Sequence, residues 1–176
     1  MKIVGIGIIA LMLLVFIIYA YYDGFKKVTV HVAKQGGETI VYEDVRGDYK
    51  QTPIVSDTIY HSLLDKHKIE TYKGVGLFYD NPQKVEKSHL RSKVGCVIED
   101  SDTAKLAELS GQYKTMTLEE KEYIIAEFPF KGKMSVFVGL MKVYPAIGQF
   151  IKDNQYSENG IVTEIFDVHN SKIYYR

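Results

Sequence analysis

Few residues in this chain are placed to do chemistry. In the alternating segment Ile161–Asp167, Val162, Glu164 and Phe166 share one face, and Ile161 and Ile165 share the other. Glu164 is thus a carboxylate flanked by apolar side chains on its own face. Two readings stand at this level. On the solvated face of a half-covered strand it is an ordinary exposed glutamate. Facing a cleft, it is partly desolvated, its pKa is raised and it favours a cation. Nearby aromatic faces would add cation–π attraction of roughly 0.5–2 kcal/mol. No Ser-His-Asp or Cys-His set is visible. The histidines, His31, His61, His67, His89 and His169, show no metal spacing, and His61 and His67 fall on nearly opposite faces of an expected helix. The single cysteine, Cys96, excludes an intramolecular disulfide and reads as a small apolar filler. No cofactor or metal is expected.

Composition narrows the class. The 176 residues carry 22 Lys+Arg against 22 Asp+Glu, with 46% hydrophobic and 12% aromatic residues. A nucleic-acid binder would show a basic surplus, and a disordered chain would be far less apolar. Length allows one ordinary domain.

The balance hides an asymmetry. Ile3–Tyr22 is a run of 20 residues without a charge. As a helix it reaches ~30 Å, the thickness of a bilayer's hydrocarbon core. Tyr19, Tyr21, Tyr22 and Phe25 cluster at one end, followed by Lys26 and Lys27. The bulky tyrosines argue against signal-peptide cleavage, and the lack of a polar stripe argues against a core helix. Residues 1–26 are therefore expected to form a single-pass anchor and juxtamembrane segment. Lys26 and Lys27, against Lys2 on the other side, favour a cytoplasmic place for residues 27–176.

These residues must position the rest. Strands are expected at Lys27–Ala33, Thr39–Asp44, Gly74–Tyr79, Lys93–Ile98, Glu122–Phe128, Ile161–Asp167 and Lys172–Tyr175. Thr52 as cap and Pro53 at the first position open a helix through His67, with Ile54, Val55, Ile59, Leu63 and Leu64 apolar. A short helix fits Asp102–Leu109. Met134–Asp153 is helical in pattern, kinked or divided at Pro145. The order strand, helix, strand, strand covers Thr39–Ile98 and again Glu122–Tyr175. That order predicts an α+β fold: two pseudo-symmetric β-α-β-β units forming one antiparallel sheet, with helices on one face and an open groove on the other.

The run Gly76, Leu77, Phe78, Tyr79, Asp80, Asn81, Pro82, followed by Leu90, Arg91, Ser92 and Lys93, resembles the gyrase-inhibitor-like (GyrI-like) small-molecule-binding family. Phe128 and Pro129, then Tyr144, Pro145 and Ala146, then Thr163, Glu164, Ile165 and Phe166 resemble its second half. The resemblance spans residues 27–176. It implies a ligand groove between the two units, with an acidic residue at its base that pairs with cationic, often aromatic, ligands. By motif position that residue is Glu164. Val162 and Phe166 share its face, and Leu77 and Tyr79, taken as the counterparts of Glu164 and Phe166, are expected in the same groove. Tyr174 or Tyr175 would add an aromatic wall. Alternation admits only one of them, and Tyr174 is the one assigned.

The expected partners are thus a small molecule and a membrane, with no nucleic acid and no assigned protein partner. The expected function is a membrane-anchored module for small, partly apolar cations. Two alternatives remain. The resemblance also implies that Glu164 could serve as the base of a hydrolase acting on reactive electrophiles, with an aromatic hydroxyl as donor. A protein-interaction adaptor at the membrane is the other.

Overall fold

A computed structural model describes residues 2–109, 111–157 and 159–176 of the chain. Met1 of the expected anchor lies outside these. The uncharged N-terminal run forms helix α1 (Lys2–Tyr21). There follow β1 (Val30–Gln35), β2 (Thr39–Arg46), α2 (Thr52–His67), β3 (Lys73–Phe78), β4 (Arg91–Ile98), α3 (Leu106–Leu109), β5 (Lys114–Thr117), β6 (Lys121–Pro129), α4 (Lys133–Asp153), β7 (Val162–Asp167) and β8 (Lys172–Tyr175).

The strands form one antiparallel sheet in the order β1-β6-β8-β7-β3-β4-β2-β5. The order is symmetric about the β7–β3 pair. Moving outwards, each β-α-β-β unit presents its second strand, then its third, then its first, and a further strand closes each edge. The fold is thus α+β, built from two repeated units as the element order implies.

Local chemistry explains most boundaries. Pro53 suits the first turn of α2, where an N–H has no helical partner. The cap itself is Gln51 rather than Thr52, because a 3-10 turn over Tyr49–Gln51 precedes the helix and Thr52 Oγ1 donates back to Tyr49 O at 2.8 Å. Lys68 ends the helix in the left-handed region, with φ of 54°. Asp102–Leu109 is not one helix: a 3-10 segment over Asp100–Lys105 runs into the single turn α3. Pro145 does not divide α4, which is continuous over 21 residues. The edge strand β5 was not expected, since Lys114, Thr115 and Thr117 show no core-facing alternation. Its backbone extends β2 regardless.

Both long helices lie on the same face of the sheet. Ile59 and Leu63 of α2 pack on Val41, Cys96 and Ile98. Val138 and Val143 of α4 pack on Ala126, Phe128, Ile173 and Tyr175. The opposite face is itself a core, holding Ile40, Tyr42, Val75, Leu77, Val97, Leu118 and Ile165. The expected open groove on the side away from the helices is therefore corrected: that side is filled. Some apolar positions of these helices are turned outwards, among them Ile54 of α2 and Phe137 of α4, at 71% and 57% exposure.

Candidate functional site

The groove lies on the helix side. Each helix covers the outer strands of its own unit, and the central pair β3–β7 is left uncovered between them. The resulting cleft holds about 1440 Å³. Gly74 and Gly76 contribute no side chains to its floor, which gives it depth. Tyr49 and Tyr60 stand on the α2 side, and Leu140, Met141 and Tyr144 on the α4 side. Val162, Glu164 and Phe166 of β7 complete the floor.

Glu164 sits at the base. Its register partners are Gly76 on one side and Tyr175 on the other. It is 4% exposed. Its Oε1 accepts a hydrogen bond of 2.7 Å from Tyr144 Oη. Among the described residues no Lys or Arg side chain forms an ion pair with it. Burial therefore dominates and pushes its pKa up to about 7, against a smaller opposing effect of the Tyr144 hydroxyl. The Tyr144 phenol is pushed up in turn by burial, then by the charge of Glu164. The Tyr175 ring meets that of Tyr144 edge to face at 6.1 Å. Among the described residues the buried Tyr175 hydroxyl has no hydrogen-bond partner, and burial, reinforced by Glu164, raises its pKa as well.

Of the sequence-derived site residues, the structure brings Val162, Glu164 and Phe166 together on the groove floor. Tyr79, one residue beyond β3, reaches the groove rim while packing on the opposite core. Leu77 and Tyr174 are corrections. Both lie on the face away from Glu164, packed with Val75 and Ile165. The cause is register. Glu164 pairs with Gly76, so Leu77 faces Thr163, and a slip of one residue moves a strand's side chains to the other face. In the same way Tyr175, not Tyr174, stands opposite Glu164.

Tyr144 is the site residue that sequence reasoning missed. It appeared only within the Tyr-Pro-Ala run. The available signal was its spacing of four from Leu140, which puts both on one side of α4. Asp80 and Arg91, eleven residues apart, form the outer brace. Arg91 donates through Nε at 3.0 Å and Nη2 at 2.8 Å to the two Asp80 oxygens, and its backbone N–H adds a third bond at 2.8 Å. The Arg91 guanidinium holds the Asp80 carboxyl below its usual range. Tyr49 Oη lies 3.0 Å from both the Asp80 and Arg91 carbonyls, where its one proton can be donated to either, and accepts from Asp80 N–H at 3.1 Å, so the same brace positions the groove's Tyr49. Among the described residues no cluster of three or more His, Cys, Asp or Glu side chains could hold a metal ion.

A repeated β-α-β-β sheet with an aromatic cleft over a buried glutamate defines a small-molecule-binding fold. The GyrI-like small molecule binding domain matches residues 36–173, and the chain belongs to that family. Among curated proteins it is similar to testis-expressed protein 264 of human and its homologue of mouse, each 24% identical over 89 residues. Those stretches are 47% of this chain and only 28% and 29% of the relatives, so most of each relative lies beyond the match.

Solved structures share the fold. The EcmrR C-terminal domain aligns with a TM-score of 0.56 at 9% identity, covering 84% of this chain and 94% of that one. In the EcmrR–DNA complex the figures are 0.59 and 10%, covering 97% of this chain and 65% of that one. SAV2435 bound to tetraphenylphosphonium aligns at 0.54 and 13%, covering 84% and 92%.

Proposed function

We propose that this chain is a membrane-anchored module that binds small, partly apolar cations in the cleft between α2 and α4, with Glu164 as counter-ion. The observation that carries the reading is a carboxylate buried at the base of an aromatic cleft with a tyrosine hydroxyl as its one hydrogen-bond partner in the described structure. A bound cation would offset the burial that now raises its pKa, and Tyr49, Tyr60 and Phe166 offer ring faces. The ligand of SAV2435, a fold neighbour, is such a cation.

The anchor reading rests on α1. After Lys2 it carries no charge, and its large apolar side chains from Ile6 to Ile18 are 41–67% exposed. A 20-residue helix of this kind finds its apolar partner in a bilayer ~30 Å thick. Lys26 and Lys27, against Lys2 alone on the other side of α1, favour the cytoplasmic side for residues 27–176.

Titration calorimetry with tetraphenylphosphonium on the detergent-solubilised chain tests the ligand reading. Binding is expected at pH 8. Glu164→Gln should weaken it at least tenfold, about 1.4 kcal/mol. Equal affinity of the two proteins would remove the basis for Glu164 as counter-ion. Resistance of the chain to alkaline extraction from membranes checks the anchor.

A further inference from the structure

We infer that the exposed apolar strip of α4 formed by Met134, Phe137 and Met141 is seated on the surface of the bilayer that holds α1. This rests on the anchor reading above. The three side chains are 46%, 57% and 57% exposed. At 3.6 residues per turn they fall within an arc of ~60° on α4. Ser135, Gly139 and Val143, on the other side of the helix, are buried. Among the described residues the strip is left exposed, and a patch of large apolar side chains on a protein surface marks an interaction site.

The occupant follows from how α1 meets the domain. The helix does not leave on a loose tether. Tyr19 and Tyr22 pack against the core beneath α4. Asp23 ends the helix with a positive φ of 57°, and Gly24 N–H returns to Tyr19 O at 2.8 Å. Lys131 Nζ pairs with Asp23 Oδ2 at 2.5 Å and donates to Tyr21 O at 2.8 Å. Lys142 Nζ donates to Gly24 O. These two lysines bracket the segment 131–142, so the first half of α4 runs alongside the end of α1. Its apolar strip therefore lies at the level where the anchor leaves the hydrocarbon.

Two further features match a lipid surface. Phe25, 60% exposed, meets the Phe16 ring at a tilt at 5.1 Å and the Tyr19 ring edge to face at 5.0 Å, and sits in the aromatic position of an interface. Lys133, next to Met134 on α4, and Lys26 and Lys27, just after α1, are exposed and suit anionic headgroups. A helix lying in the interface presents such a combination, with its apolar side ~5–10 Å below the headgroups. On α4, Met141 belongs both to the strip and to the cleft wall, and Leu140 and Tyr144 of the cleft adjoin it. The cleft mouth would then open at the membrane, and its ligands would be amphiphiles that partition into lipid.

The chain contains no tryptophan, so a single substitution provides a unique fluorophore. Full-length Ile9→Trp, Phe137→Trp and Thr115→Trp variants would be reconstituted in phosphatidylcholine–phosphatidylserine vesicles with and without bromine on the acyl chains. Ile9 reports the anchor, and Thr115 lies on β5 at the sheet edge farthest from β1. Bromolipid should remove at least half of the emission of Ile9→Trp and Phe137→Trp and leave Thr115→Trp unchanged. Quenching of Ile9→Trp alone would overturn the strip's seat while leaving the anchor standing. A blue-shifted but unquenched Phe137→Trp would show a second copy or another protein on the strip and overturn it equally. No quenching at either position would overturn both readings.

Discussion

Tyr144 and Glu164 come from different elements, α4 and β7, and meet at 2.7 Å at the base of the cleft. The tyrosine is the one donor in the described structure to a carboxylate that lies between a glycine and the buried ring of Tyr175. A hydrogen bond to an ionised group contributes roughly 1.5–3 kcal/mol. Removing it acts on the charged form of Glu164 more than on the neutral form.

Tyr144→Phe should therefore raise the pKa of Glu164 further above about 7. Cation affinity at pH 7 should fall, and much of it should return at pH 9. Calorimetric titration of tetraphenylphosphonium across pH measures both. An unchanged pH profile would mean that the hydroxyl does not stabilise the carboxylate.

Stability should also report Glu164. Its folded pKa, about 7, lies above the unfolded value of 4.5. The folded state therefore holds the proton more tightly. The associated stability is fully present below pH 4.5 and is lost as pH rises through about 7. Glu164→Gln lacks this dependence. The variant's stability relative to the parent should increase from pH 5 to pH 8 by about 3 kcal/mol. Urea melts of both proteins at a series of pH values test the sign, and a constant difference would refute it.

Gly139 allows α4 to approach Tyr175. A Cβ there would meet the Tyr175 hydroxyl at 2.6 Å and the Phe128 ring at 3.2 Å. Both neighbours are fully buried and cannot swing away. Gly139→Ala should cost about 1–3 kcal/mol despite its gain in helix propensity. It should also displace Tyr144, five residues on, and weaken cation binding. Thermal melts with and without tetraphenylphosphonium separate the two effects.

Cys96 should be inert in the folded protein. On β4 it packs beneath α2 with Ile59 and Leu63, and burial alone pushes its thiol up to about 12. The thiolate is the reactive form, so maleimide labelling at pH 8 should be negligible until denaturant unfolds the domain. Rapid labelling of native protein would show that this core opens.

Local patterns made much of the architecture readable. Pro53 and the apolar positions of α2 placed its bounds at Thr52 and His67. The repeated order of elements foreshadowed the symmetric sheet, because each β-α-β-β unit packs by the same rules. The alternation Val162, Glu164, Phe166 put a carboxylate among apolar neighbours, and the Tyr-Asp-Asn-Pro turn with the later Leu-Arg pointed to the family. Such features lie within a few residues of chain, where spacing alone decides which side chains share a face.

Relations between distant segments were settled by the tertiary structure. Whether Leu77 or Gly76 stands beside Glu164, and whether Tyr174 or Tyr175 does, depends on strand register, which reverses with a shift of one residue. The side on which the groove opens depends on how far α2 and α4 stand apart over β3 and β7. Tyr144 could join Glu164 only after α4 packed its Val138 and Val143 face onto the sheet. Asp80 needed the path of the chain back to β4 before Arg91 could clasp it. In each case the deciding quantity is a pairing or packing distance between residues far apart in the chain, and no local periodicity carries that information.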